Sequence, residues 1–139
     1  MFRFSKSLVV LAALVSAAGC NDSVKAPRPI GVDRLGPGQY PRNVAVEKNL
    51  DKGLVAGPTI VNESTPDRPM RVTQPVRNVA DYPLRIQYQF SFLGSDGRPV
   101  RGSDGWRFIE LEPRVERFLE ASATDTNAVD WRLTVRAAR

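Results

Sequence analysis

The residues able to do chemistry are few, and what is missing is informative. The chain has one cysteine, Cys20, and no histidine. That removes the usual general base near neutral pH, the usual zinc ligand set and every Cys–His nucleophile. A Ser–Lys pair would need a lysine in the folded part, and the last two are Lys48 and Lys52, at its margin. Carboxylates do recur at close spacing, as Glu110 with Glu112, Glu116 with Glu120 and Asp125 with Asp130. On strands the first two pairs fall on one face at i, i+2 spacing or wider, which is the pattern of a solvated sheet surface. A glycosidase-like dyad needs two carboxyls turned into a cleft. No glycine-rich phosphate loop follows a strand and opens a helix. The reading is a non-enzymatic protein with no cofactor and no metal; a small-ligand carrier or carboxylate-dependent hydrolase is the alternative.

The doubled motif Gly94-Ser95-Asp96-Gly97 and Gly102-Ser103-Asp104-Gly105 invites a calcium reading. A calcium loop stacks acidic or amide residues at alternate positions and ends in a bidentate glutamate. Here Arg98 and Arg101 lie between the two aspartates and oppose a divalent cation. Asp-Gly pairs supply the positive φ of tight turns instead, with Arg98-Pro99-Val100 expected as a short edge strand between them.

Cys20 must be explained by what precedes it. Arg3 and Lys6 lead into the eleven-residue run "LVVLAALVSAA". A basic start, an apolar segment of about 7–15 residues and small residues at a cleavage point make an export signal. The run is too short for a membrane span, which takes roughly 18 apolar residues. "AAGC" resembles the lipobox of bacterial lipoproteins, with Ala17 where that group prefers leucine. The resemblance implies that Cys20 carries a diacylglyceryl group through a thioether and that residues 1–19 are a lipoprotein signal peptide. Several acyl chains on one residue hold a protein to a membrane, where a single chain does so only marginally. Ordinary cleavage after "SAA" would leave Cys20 as an unpaired thiol in an oxidising compartment.

Removing residues 1–19 leaves 120 residues, and the loss of Arg3 and Lys6 lowers the formal charge from +5 to +3. That is enough for one modest domain without a disulfide. So mild a balance gives no case for nucleic acid. Residues 20–43 are expected to be a lipid-anchored linker: the stretch 21–43 has four prolines, three glycines and no apolar period. The remainder, 44–139, is read as a β-sandwich domain, its first strand starting near Val44 or near Leu54.

Short strands with turn signals then follow. In "LRIQYQFSFL", Leu84, Ile86, Tyr88, Phe90 and Phe92 alternate with Arg85, Gln87, Gln89 and Ser91, the period-two pattern of a half-buried strand. "WRLTVR" repeats it with Trp131, Leu133 and Val135. "MRVTQPVRN" alternates too, and Pro75 within it predicts an edge strand or a bulge. "GPTIVNE" and "WRFIEL" read as further strands. "RVERFLEASA" fits both helical and strand periods; Pro113 and the flanking strands favour strand. The sum is an all-β fold, an immunoglobulin-like antiparallel β-sandwich of about seven strands.

Outward positions on these strands hold Arg71, Arg77, Arg85, Arg132 and Arg136. They form one basic interaction face if their strands share a sheet, suited to anionic cell-wall carboxylates or an acidic protein surface. Otherwise they are scattered solvated charges.

Asn78, Leu84, Ile86, Gln87, Tyr88, Phe90, Phe92, Asp96, Gly97, Trp106, Leu111 and Pro113 together resemble the YcfL-like periplasmic lipoproteins, over residues 54–136. The resemblance implies an immunoglobulin-like sandwich on a lipid anchor in a Gram-negative-type envelope, and brings no catalytic residues. That family's setting near regulators of peptidoglycan synthesis implies a part in envelope maintenance. The expectation is therefore a protein facing the periplasm, held by Cys20 to the outer rather than the inner membrane. Its partner would be an envelope protein or peptidoglycan.

Overall fold

The computed structural model describes Gly36 and residues 38–101 and 105–139; the export segment, Cys20, most of the linker and Gly102, Ser103 and Asp104 lie outside them. Eight strands follow in order: β1 (Val44–Val46), β2 (Leu54–Ala56), β3 (Ile60–Asn62), β4 (Arg71–Asn78), β5 (Leu84–Leu93), β6 (Arg107–Leu111), β7 (Glu116–Ser122) and β8 (Asp130–Ala137), with one 3₁₀ turn at Lys48–Leu50. One sheet has the order β1-β8-β5-β6. The other is centred on β4, flanked on one side by β7 and on the other by β2 and β3 placed end to end.

Alternation decides what lies between the sheets. Ile86, Phe90 and Phe92 of β5 and Leu133 and Val135 of β8 meet Val72 and Val76 of β4 and Leu119 and Ala121 of β7 in one core. Phe90 is its centre: Phe92 stacks at 6.4 Å, Trp131 lies tilted at 6.3 Å and Tyr88 meets it edge-on at 6.2 Å. Burying one such ring stabilises the fold by about 1.5–3 kcal/mol. β4 beside β7 in one sheet, and β5 between β6 and β8 in the other, is the strand pairing of an immunoglobulin-like sandwich.

Three local expectations need correction. The eight strands agree with the expected sandwich of about seven, but one pairing is not antiparallel: β1 runs parallel to β8, with Val44 opposite Leu133. A three-residue strand is too short to show a period, and its partner lies far along the chain.

Of the edge or bulge that Pro75 implied, the edge is absent, since β4 is the central strand of its sheet, whereas the registers Ala56↔Val76 and Ile60↔Thr73 set one extra residue of the β2–β3 segment opposite it, as in a bulge. Pro75 is tolerated because β2 stops at Ala56 and β3 starts at Ile60, leaving a break opposite it. The Pro75 carbonyl accepts from Gly57 N at 2.9 Å, so its own nitrogen faces the same break, and the Gly57 carbonyl that a backbone N–H would have met there is satisfied by a side chain instead. Gln74, fully buried, fills that break. Its Nε2 donates to Gly57 O at 2.7 Å and Pro75 O at 2.9 Å, and its Oε1 accepts from Thr59 Oγ1 at 2.5 Å.

The segment Arg98-Pro99-Val100 makes one bridge, Pro99 to Leu93, rather than a strand. The first GSDG copy is the turn its sequence calls for. Gly97 has φ +74°, its N donates to Gly94 O at 2.9 Å, and Asp96 Oδ1 accepts from Arg98 N at 3.0 Å.

A candidate interaction face

On β6, Ile109 and Leu111 point to the core, so Phe108 and Glu110 point out, and Trp106 just before the strand continues their phase. Phe108 is 60 % exposed and Trp106 40 % exposed. The pairing register puts Phe108 opposite Gln87 on β5, and Gln87 opposite Arg136 on β8. Glu47 follows β1 directly and extends its ladder, with Glu47 N donating to Val135 O at 2.9 Å. Glu47, Arg136, Gln87 and Phe108 thus form a transverse row across the outer face of the β1-β8-β5-β6 sheet.

Arg136 is held in place twice. Its guanidinium carbon lies 3.7 Å from the centroid of the Trp106 ring, and its Nε donates to Gln87 Oε1 at 3.0 Å. An exposed cation–π contact of this kind contributes about 0.5–1 kcal/mol; its larger effect is to fix the direction of the guanidinium fork. Glu47 is fixed separately, its Oε2 accepting from Ala137 N at 2.8 Å. Beside the row is a cavity of about 410 Å³ lined by Glu47, Gln87, Arg136, Ala137 and Arg139.

The five arginines divide between two sheets, so they do not make one face. Arg85, Arg132 and Arg136 share the outer face of the β1-β8-β5-β6 sheet, where Arg85 Nε donates to Glu110 Oε2 at 2.7 Å. Arg71 and Arg77 stand on β4 in the other sheet. The period fixes whether a residue points in or out; it does not say which sheet its strand joins.

The carboxylates engage separate partners. Arg71 Nη2 donates to Glu120 Oε2 at 2.8 Å, and this bond holds the Glu120 carboxyl below its ordinary range. Asp125 Oδ1 accepts from Asn127 N at 2.9 Å, while Asp130 Oδ1 accepts from Asn43 Nδ2 at 2.9 Å and Trp131 N at 2.8 Å. Glu110 and Glu120 belong to different sheets. Among the described residues no group of three or more acidic, Cys or His side chains is placed to hold a metal ion. Cys20 lies outside the described residues.

Trp106, Phe108, Gln87 and Glu47 are functional candidates beyond the arginines. The signal for the two aromatics was present: in "WRFIEL", Trp106 and Phe108 share the phase of Glu110, opposite to Ile109 and Leu111. Glu47 carried no such signal, because its place beside Arg136 depends on a parallel pairing between distant segments.

Two solved structures share this fold. Campylobacter jejuni cj0090 superposes with a TM-score of 0.58 at 21% identity, covering 69% of this chain and 98% of that one. A DUF1425 family member from Shewanella sp. pv-4 gives 0.54 at 17% identity, covering 81% and 94%. No curated protein matches the chain. Residues 42–137, which take in all eight strands, match the family described as "Protein of unknown function (DUF1425)". The chain belongs to the DUF1425 family.

Proposed function

We propose that this protein is a YcfL-like lipoprotein of the bacterial envelope, a non-enzymatic binding module tethered to a membrane through Cys20 and facing the periplasm. The observation that carries the reading is the position of the one cysteine, after a basic start, an apolar run and small residues, and before a proline- and glycine-rich linker. The absence of histidine, with the sole cysteine given over to lipid, supports a binding role over a catalytic one. The outer face built on Trp106, Phe108, Gln87 and Arg136 supplies what such a module needs. It combines exposed aromatic area with an oriented guanidinium, the residue types enriched where proteins bind partners.

Fractionation with acyl labelling tests the proposal. The wild-type chain is expected in the membrane fraction and labelled by a fatty-acid probe. Cys20→Ser is expected unlabelled, and either released or retained as the longer precursor. A Cys20→Ser protein trimmed at the same residue and still membrane-bound would overturn it.

A further inference from the structure

Glu47 and Arg136 are oppositely charged neighbours across β1 and β8, yet they do not close on each other. Neither joins an ion pair among the described residues. Each is drawn aside by its own partners: Arg136 toward Trp106 and Gln87, and Glu47 toward the amide of Ala137. A guanidinium has five N–H donors. Only the Nε–H is used here, so the terminal amino groups are free to form a fork that binds a carboxylate with two parallel bonds. Glu47 likewise keeps Oε1 once Oε2 has accepted from Ala137. Both charges line the same cavity of about 410 Å³, within the range of about 300–1,000 Å³ typical of small-ligand sites.

We infer that this cavity binds the zwitterionic head of an amino acid, its carboxylate on Arg136 and its ammonium on Glu47. The inference deepens, and rests on, the reading of this face as a binding surface. A plain anion fits less well, since the Glu47 carboxylate repels it. A plain cation meets Arg136, with Arg139 also at the cavity wall. A ligand that carries both charges satisfies both walls. Two sources offer that chemistry: a free amino acid, or the zwitterionic side-chain end of a diamino diacid residue inside a cell-wall peptide.

The test is calorimetric titration of the full chain in detergent, with amide spectra to locate the contacts. The probes are glycine, diaminopimelate, a peptide carrying diaminopimelate at an internal position, acetate and methylammonium. The zwitterions are expected to bind with a dissociation constant of roughly 1 mM or tighter, shifting the amides of Glu47, Gln87 and Ala137. Preference for the peptide over free glycine would identify the cell-wall source; the reverse would identify a free amino acid. Arg136→Gln should abolish binding. Glu47→Gln keeps an oxygen for the Ala137 amide and should weaken zwitterion binding about tenfold, the loss of one charge-assisted hydrogen bond, while strengthening acetate. Acetate bound as well as glycine, with no effect of Glu47→Gln on the zwitterions, would overturn the inference and leave a carboxylate site on the same face. No localised shift with any probe would also overturn it, whereas capture of a partner through Phe108 reports on the face independently.

Discussion

Replacing Asn78 with alanine should cost more than its small volume suggests. Asn78 is 0% exposed at the last position of β4. Its Nδ2 donates to Tyr82 O and to Leu111 O, each at 2.8 Å, and its Oδ1 accepts from Ala80 N at 2.8 Å. One side chain therefore ties the β4–β5 corner to the end of β6. Alanine removes all three bonds, taking these partners from the Tyr82 carbonyl and the Ala80 amide and the side-chain donor from the Leu111 carbonyl. Each such group costs about 1–3 kcal/mol when fully buried. Leu111 O is buried and the bonds at Tyr82 and Ala80 are part-buried, so the sum is about 3–5 kcal/mol. A domain of this size has a total stability on the order of 5–14 kcal/mol. The melting temperature should then fall by roughly 12–40 °C, at about 4–8 °C per kcal/mol. Asn78→Asp sharpens the test. It keeps an acceptor for Ala80 but turns an ionised carboxylate toward two carbonyl oxygens, which raises its pKa in the folded state. Its penalty relative to wild type should be small below the unfolded carboxyl value of about 3.9 and grow as pH rises above it. Urea unfolding of the three proteins between pH 3 and pH 8 reads both effects. An Asn78→Ala loss under about 1 kcal/mol, or an Asn78→Asp penalty independent of pH, would refute the reasoning.

Three more outcomes follow from the same geometry. Phe90→Ala should destabilise by about 3–5 kcal/mol, the range for buried aromatics, and Arg132→Gln on the outer face should stay within about 0.5 kcal/mol; equal losses in urea unfolding would show the inward phase to be wrong. Burial, and after it the charge of Asp51, pushes the Tyr40 hydroxyl up to about 12, so alkaline spectrophotometric titration should show a transition there that Tyr40→Phe removes. Because that group is raised in the folded state, its contribution to stability is complete below about pH 10 and is lost as pH rises toward 12. Calcium should leave the melting temperature unchanged, since Asp96 Oδ1 already caps the Arg98 amide; a calcium-dependent rise abolished by Asp96→Ala would contradict the turn.

Much of the fold could be read from period two. The inward set Leu84, Ile86, Phe90, Phe92, Trp131, Leu133 and Val135 lies in the core as the alternation requires. Burial phase is a local property, so ten residues of β5 suffice to fix it. Pairing is not local, and this is where the sequence ran out. Arg71 and Arg77 have the same outward phase as Arg85, yet β4 joins the other sheet, which no residue within β4 announces. Pro75 read as an edge or a bulge, and the choice between them was not legible because the break between β2 and β3 that accommodates it lies in another segment. Gln74 and Asn78 are polar and fully buried because each satisfies backbone groups of distant segments. The candidate site shows the same division. Trp106 and Phe108 could have been found from their phase in β6, whereas the Glu47–Arg136 juxtaposition needed the β1–β8 register.

Whether the Trp106 face is the working surface is decided most directly by site-specific photocrosslinking in intact envelopes. A photoreactive residue replaces Phe108 in one protein and Ile60, equally exposed on the opposite sheet, in another. Phe108 is expected to give a discrete adduct, with a partner protein or with glycan-linked peptide, that Arg136→Gln diminishes; Ile60 is expected to give none. Adducts from Ile60 alone, or the same adduct from both positions, would contradict the assignment of binding to this face.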